Sequence, residues 1–138
     1  MARMVFERPV SERAIRRGEE ILKKMVETSG GAIEAALVVG EDGLPIIQHL
    51  PSNIDADALS ACTLALVGAL DSALSLLGSA GFVRLDVRLE DDSHLVITPI
   101  GDNNLLVVKT RKSPNLGLVY LLIGKFSAKI SQVIEEMG

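Results

Sequence analysis

The sequence predicts an α/β fold of the α+β kind, in which a five-stranded, mostly antiparallel sheet lies between one long helix and two further helices. Three segments carry apolar residues at helical spacing, and five shorter apolar runs are separated by turns rich in glycine and acidic residues. The predicted order is α-β-β-α-β-β-β-α. Two hairpin-type groups of strands are separated by a helix, which favours antiparallel pairing. These strands are too apolar to face water, so helices must cover the sheet.

The first helix is expected to begin at Ser11, whose hydroxyl suits an N-cap, and to end at Ser29-Gly30-Gly31. Its apolar residues share one side of a helical wheel and its charges share the other, which is typical of a helix that covers a core. Residues 1–10 are expected to form an N-terminal tail. The whole chain, residues 1–138, has a length that suits one domain.

Two strands are expected next, over Ile33 to Gly40 and Leu44 to Leu50. The short turn Glu41-Asp42-Gly43 between them predicts a hairpin, because it is acidic and contains glycine. Pro51 ends the hairpin, and Asp55 then opens the long helix.

The long helix is expected to run from Asp55 to about Leu77, where Gly78 follows. A helical wheel divides it into faces. The expected sheet-facing stripe is Leu59, Cys62, Leu66, Leu70, Ala73 and Leu77. The two flanks are Ala58, Ala65, Ala69 and Leu76 on one side, and Thr63, Val67 and Leu74 on the other. The side expected to lie opposite the sheet is Ser60, Ala61, Leu64, Gly68, Asp71, Ser72 and Ser75.

Three strands and a helix complete the predicted fold. Phe82 to Leu89 alternates between apolar and polar residues, as a half-buried strand does. Ser93 to Ile100 forms the fourth strand, and Leu105 to Thr110 is apolar on both faces and should be central. Ser113 is expected to cap the last helix, with Pro114 at its first position.

Composition excludes several classes of function. The net charge is −4 and aromatic residues make up only 3%, which disfavours a nucleic-acid partner. A single cysteine, Cys62, precludes an internal disulfide, and the first residues lack a signal-peptide pattern, so a cytoplasmic location is expected. Asp71 lies in the middle of the most apolar segment, which argues against a membrane span.

Catalytic patterns are missing from the sequence. Cys62 falls in an apolar helical stripe, and His49 and His94 stand singly near strand ends, without neighbours at metal-ligand spacing. The glycine pairs lack the lysine and hydroxyl residues of a phosphate-binding loop. We therefore expect no enzyme, no cofactor and no metal.

The long helix has more apolar surface than one sheet can cover. Either the helix is buried inside the domain or a second chain covers it, and the alanine flank favours association. The third strand carries Arg84, Asp86 and Arg88 on its polar face, so two copies pairing at this edge could place Asp86 near an arginine of the other chain. A solvated charged edge is the alternative. The predicted dimer interface is Ala58, Ala65, Ala69, Leu76, Phe82, Arg84, Asp86 and Arg88.

Three stretches carry a family resemblance: VVGEDGLPI at 38–46, LVITPIGDNNLLVVKT at 95–110 and PNLGLV at 114–119. In this order and spacing they resemble the Roadblock/dynein light-chain family, relatives of longin domains, over about Ser11 to Glu136. Within the last stretch, Gly117 is expected to allow close packing in the first turn of the final helix.

The resemblance implies a homodimer, or a heterodimer with a related domain, whose sheets join through the third strand and whose long helices lie side by side. Family members act as scaffolds or regulators of Ras-like small GTPases, and one bacterial branch stimulates GTP hydrolysis as a dimer. By position, the implied GTPase-docking residues are Ser60, Leu64, Asp71 and Ser75. A structural scaffold without GTPase contact and a small-molecule sensor with a closed pocket are the alternatives. Whether such a protein stimulates hydrolysis stays open, because the sequence shows no obvious arginine finger.

Overall fold

The computed structural model describes the backbone of residues 2–137 and the side chains of residues 12–137. Its helices are α1 (Ala2–Thr28), α2 (Ala56–Leu76) and α3 (Leu116–Met137). Its strands are β1 (Ile33–Val39), β2 (Pro45–His49), β3 (Leu85–Arg88), β4 (His94–Ile100) and β5 (Asn104–Thr110). The predicted fold class and the predicted order of elements are both confirmed.

The five strands form one sheet in the order β2-β1-β5-β4-β3, and every neighbouring pair is antiparallel. The strand β5 lies at the centre, as its apolar character on both faces predicts. The strands β2 and β3 are the two edges.

Helices cover both faces of the sheet. Along β1, Ala36 and Val38 belong to a core shared with α1 and α3, whereas Leu37 and Val39 belong to a core shared with α2. Alternate residues of one buried strand therefore serve two cores, and this explains the unbroken apolar run that the sequence shows there.

Two glycines allow close approaches between elements. A Cβ on Gly18 of α1 would lie 2.7 Å from Cδ1 of Ile47, so α1 can pack directly on β2. Gly43 has a φ of 80°, and a Cβ there would lie 2.9 Å from Cδ2 of Leu64. The β1–β2 turn thus rests against α2, and glycine suits both the turn and the contact.

The N-terminal boundary differs from the prediction. The backbone of residues 2–10 belongs to α1 and does not form a separate tail, and Ser11 lies inside the helix and not at its start. The side chain of Ser11 lies outside the described residues.

The strand β3 is shorter than the predicted Phe82–Leu89. Phe82 and Leu85 both pack on the α2-side core, which strict alternation does not allow, and Val83 between them is 82% exposed. Regular pairing with β4 therefore begins only at Leu85.

The start of α3 also differs. Asn115 caps it, because its Oδ1 accepts a hydrogen bond from the Leu118 N–H at 3.2 Å. Ser113 has a φ of 48°, and its hydroxyl instead donates to Asp92 Oδ2 at 2.6 Å. The predicted role of Gly117 was wrong as well, since the nearest atom to a Cβ there would be the Asn115 Oδ1, at 3.4 Å.

Candidate interaction surface

The helix α2 is rotated about its axis relative to the prediction. Its buried residues are Ser60, Thr63 and Val67. Cys62 and Leu66, which were expected to face the sheet, are exposed. The hydrophobic pattern predicted that the leucine-rich side of α2 faces the sheet. The structure instead buries the side with the small residues Ser60 and Thr63, where the β1–β2 hairpin approaches the helix. The burial of Ser60 removes this residue from the expected docking contacts.

The outward side of α2 carries small apolar residues. On a helical wheel, the positions opposite Ser60, Thr63 and Val67 form a stripe that we call the α2 outer face. It consists of Ala58, Cys62, Ala65, Ala69 and Leu76, all of them exposed. Leu76 is 89% exposed, and no charged residue lies within this stripe. The four residues of the predicted dimer flank, Ala58, Ala65, Ala69 and Leu76, are thus exposed on one face.

By length and composition, α2 and α3 could each cross a membrane. This is weak evidence for a span, because the core helix of a soluble protein passes the same test. The helix α3 contributes six buried side chains to the core. By contrast, only 17% of the most apolar 18-residue stretch of α2 is buried within the chain. The helix α2 therefore leaves most of its apolar surface uncovered within the described chain.

The edge strand β3 is a second open surface. Leu85 of β3 and Phe82 before it pack on the core beneath α2, and among the described strands β3 pairs with β4 alone. Its outer edge therefore presents backbone N–H and C=O groups for further pairing.

The charged residues of β3, and Arg84 just before it, have contacts within the chain. Asp86 Oδ1 lies 2.6 Å from the His94 Nδ1, and the Tyr120 hydroxyl of α3 donates to Asp86 Oδ2. The guanidinium of Arg84 lies 3.6 Å from the centroid of the Tyr120 ring. The hydrogen bond to Asp86, together with burial and the negative charge, raises the pKa of Tyr120 above its ordinary value. Asp86 therefore already has two partners within the chain, and its predicted contact with an arginine of a second chain stays a prediction.

His94, which the sequence places singly near a strand end, has Asp86 as a partner across the sheet. The β3–β4 register pairs Arg88 with His94 and Asp86 with Val96, which brings Asp86 to the imidazole across the hairpin. The alternation over Phe82 to Leu89 does not specify this register, because it does not say which residue of β4 lies opposite each residue of β3.

Arg88 has a partner of its own. Its Nε donates to Asp92 Oδ1 at 2.6 Å, while the Ser113 hydroxyl donates to Asp92 Oδ2. The hydroxyl of Ser113, and then Arg88, hold the pKa of Asp92 below its ordinary value. These contacts join the β3–β4 turn to the loop before α3.

A cleft of about 510 Å³ opens where α2 meets the turns at one end of the sheet. Two of the expected docking residues, Leu64 and Asp71, line it. Ser75, the last of them, is exposed on α2. The lining also includes Glu41 of the β1–β2 turn and Asp102 of the β4–β5 turn.

Beneath α2 the described residues enclose little space for a ligand. The space enclosed between α2 and the sheet around Leu37, Leu59 and Val107 is only about 20 Å³, which is enough for a single water molecule. Among the described side chains, no group of three or more His, Cys, Asp or Glu residues could hold a metal ion.

These features define a class of protein: a small α+β domain whose distinctive surfaces are an apolar helix face, an open sheet edge and an acidic cleft. The family follows from comparison. The chain belongs to the Roadblock/LC7 domain family, whose model matches residues 18–110.

Known relatives agree with this assignment. An uncharacterized protein of Methanocaldococcus jannaschii is 30% identical over 112 residues, covering 81% of this chain and 92% of its own length. Among solved structures, MglB of Myxococcus xanthus superposes with a TM-score of 0.79 at 22% identity, covering 90% of this chain and 92% of that one. A Roadblock/LC7 domain of Streptomyces avermitilis gives 0.76 at 18% identity, covering 85% and 97%. The structural likenesses show the shared fold.

Proposed function

We propose that this protein is a non-catalytic dimeric module of the cytoplasm that binds a Ras-like small GTPase and regulates or scaffolds it. The observation that carries the proposal is the α2 outer face. An exposed, charge-free helix face is costly to leave in water, and a second protein surface is the ordinary cover for it.

The dimer is supported by two open surfaces. Alanines on the α2 outer face permit close approach of a second helix, while the β3 edge offers backbone groups for pairing. Because Asp86 and Arg88 already have partners within the chain, pairing at this edge would depend on the backbone and on apolar contacts. A second copy of this chain and a related Roadblock domain are both suitable partners.

The GTPase contact is supported by the family. Roadblock-domain proteins act with Ras-like GTPases, and one of the structures with this fold is a gliding protein, MglB of Thermus thermophilus. We assign docking to Leu64, Asp71 and Ser75, which lie on the side of α2 that borders the cleft or close to it.

The test begins with sedimentation equilibrium over a broad dilution series. A stable mass of twice 14.7 kDa supports the dimer, and a monomer at every concentration contradicts it. Binding to Ras-like GTPases loaded with GTP or with GDP is measured next. Nucleotide-dependent binding that Asp71→Lys weakens, and that Glu90→Lys on the β3–β4 turn does not, supports the docking assignment.

The same measurements address the alternatives. A dimer that binds no GTPase in either nucleotide state would be a structural scaffold. The small space beneath α2 disfavours the sensor, since a ligand would need an enclosed pocket.

A further inference from the structure

The cleft beside α2 combines an apolar floor with an acidic rim. Leu64, Val67 and Leu105 line its apolar part, with the ring of Phe82 beside them. Its polar lining residues are Glu41, Asp71, Asp102, Asn103 and Asn104.

No basic side chain lines this cleft. Within the part of the chain that the structure describes, none of its three carboxylates forms an ion pair or accepts a hydrogen bond from a basic side chain. Three uncompensated negative charges around an apolar floor give the cleft a negative potential. Its natural complement is a cation carried on an apolar stem.

We propose that this cleft receives an arginine side chain of the protein that docks on α2, an inference that rests on the proposed function. A guanidinium offers several donors in a fixed plane, which suits carboxylates and amide oxygens on different sides of a cleft. Its methylene stem covers apolar surface, and its plane can stack on the ring of Phe82. The more strongly hydrated ammonium of lysine would use the rim but gain less from the ring.

The cleft can be tested without any GTPase. N-acetyl-arginine methylamide is titrated into the ¹⁵N-labelled protein and compared with the citrulline analogue, which has nearly the same shape but no charge. We expect saturable shifts of the amide resonances of Gly81, Phe82, Asp102 and Asn104 with the arginine compound, weakening as salt is added. Equal shifts with both compounds, or shifts scattered over the surface, would overturn the proposal.

Variants locate the binding. Replacing Asp71→Asn together with Asp102→Asn should weaken the arginine probe by about tenfold. Glu90→Gln, an exposed carboxylate outside the cleft lining, should leave it unchanged. The amide spectrum of each variant shows that the fold is retained. An unchanged affinity in the double variant would exclude the cleft as the binding site.

Failure of this inference can be separated from failure of the proposed function. If the cleft binds the arginine probe but the protein binds no GTPase, the arginine-binding cleft is supported and the proposed GTPase binding is contradicted. If the double variant binds a GTPase as well as the wild type does, the proposed GTPase binding is supported and the role of the cleft in it is contradicted.

Discussion

Ser60 shows how one small residue reports the packing of a helix. It lies on the buried side of α2 and is fully buried, and its hydroxyl has no hydrogen-bond partner among the described atoms. Thr63, one turn further along, satisfies its own hydroxyl by donating to the Leu59 carbonyl at 2.8 Å. A buried hydroxyl without a partner destabilises the folded state.

We therefore expect Ser60→Ala to stabilise the protein. Both Ser60→Ala and Ser72→Ala gain helix propensity, roughly 0.5 kcal/mol. Ser60→Ala should exceed Ser72→Ala by about 1 kcal/mol in free energy of unfolding, because only Ser60 is buried without a partner. Urea denaturation of both variants measures the difference. Equal values would mean that Ser60 is satisfied in solution.

Tyr120 links α3 to the edge strand through Asp86, and Tyr120→Phe removes this hydrogen bond. The variant should lose roughly 1–2 kcal/mol of stability at neutral pH, because a carboxylate loses a donor.

The pH dependence has a definite sign. The folded pKa of Tyr120 is raised above its ordinary value of 10.0, so its contribution is fully present below pH 10 and is lost as pH rises through the raised value. The difference in unfolding free energy between wild type and Tyr120→Phe should therefore narrow as the pH is raised above about 10. A constant difference over this range would contradict the hydrogen bond.

At the scale of elements, close contact between α1 and β2 depends on Gly18, which has no side chain. Gly18 lies against Ile47, which is buried, whereas Gly124 of α3 has no atom within 4 Å of its expected Cβ.

The two glycines give a matched comparison. Gly124→Ala should stabilise the protein by about 1 kcal/mol through helix propensity alone. Gly18→Ala should fall short of that value by roughly 1–3 kcal/mol, because its methyl group displaces Ile47 or the helix. Thermal or urea unfolding measures both. Equal stabilisation would show that α1 does not pack on β2 as closely as the structure indicates.

The orientation of α2 about its own axis also belongs to this scale, and the sequence did not predict it. Nearly every position from Leu59 to Leu77 is apolar or small, so hydrophobic periodicity hardly distinguishes one orientation from another. In α1 and α3 the polar and apolar sides contrast, and the buried positions Leu22, Met25, Val119 and Ile130 lie on the apolar sides.

At the scale of the whole molecule, the proposed dimer should depend on Leu76. Leu76→Glu places a carboxylate in an apolar contact of each copy, and we expect the dimer to weaken at least about hundredfold. Leu121→Glu is the control, because Leu121 is 67% exposed on α3, the helix on the other face of the sheet. Sedimentation equilibrium measures both variants. Equal dissociation by the two would contradict an interface on α2.

Cys62 provides an independent readout of the same dimer. It is the only cysteine of the chain and is exposed on the α2 outer face. Its alkylation by iodoacetamide should slow as the protein concentration rises, and Leu76→Glu should abolish that dependence. A rate that is independent of concentration in the wild type would place the partner elsewhere.

The sequence by itself determined the order of the eight elements, the central place of β5, the two layers of helices and the family. Each follows from local periodicity, turn residues or a resemblance in short stretches. Only the tertiary structure decided the rotation of α2, the contact of Asp86 with His94 and Tyr120, the cap at Asn115 and the cleft around Asp71. The physical reason is that these features depend on which surfaces meet in space. A uniformly apolar helix, an unspecified pairing register and two loops distant in sequence leave that choice to packing.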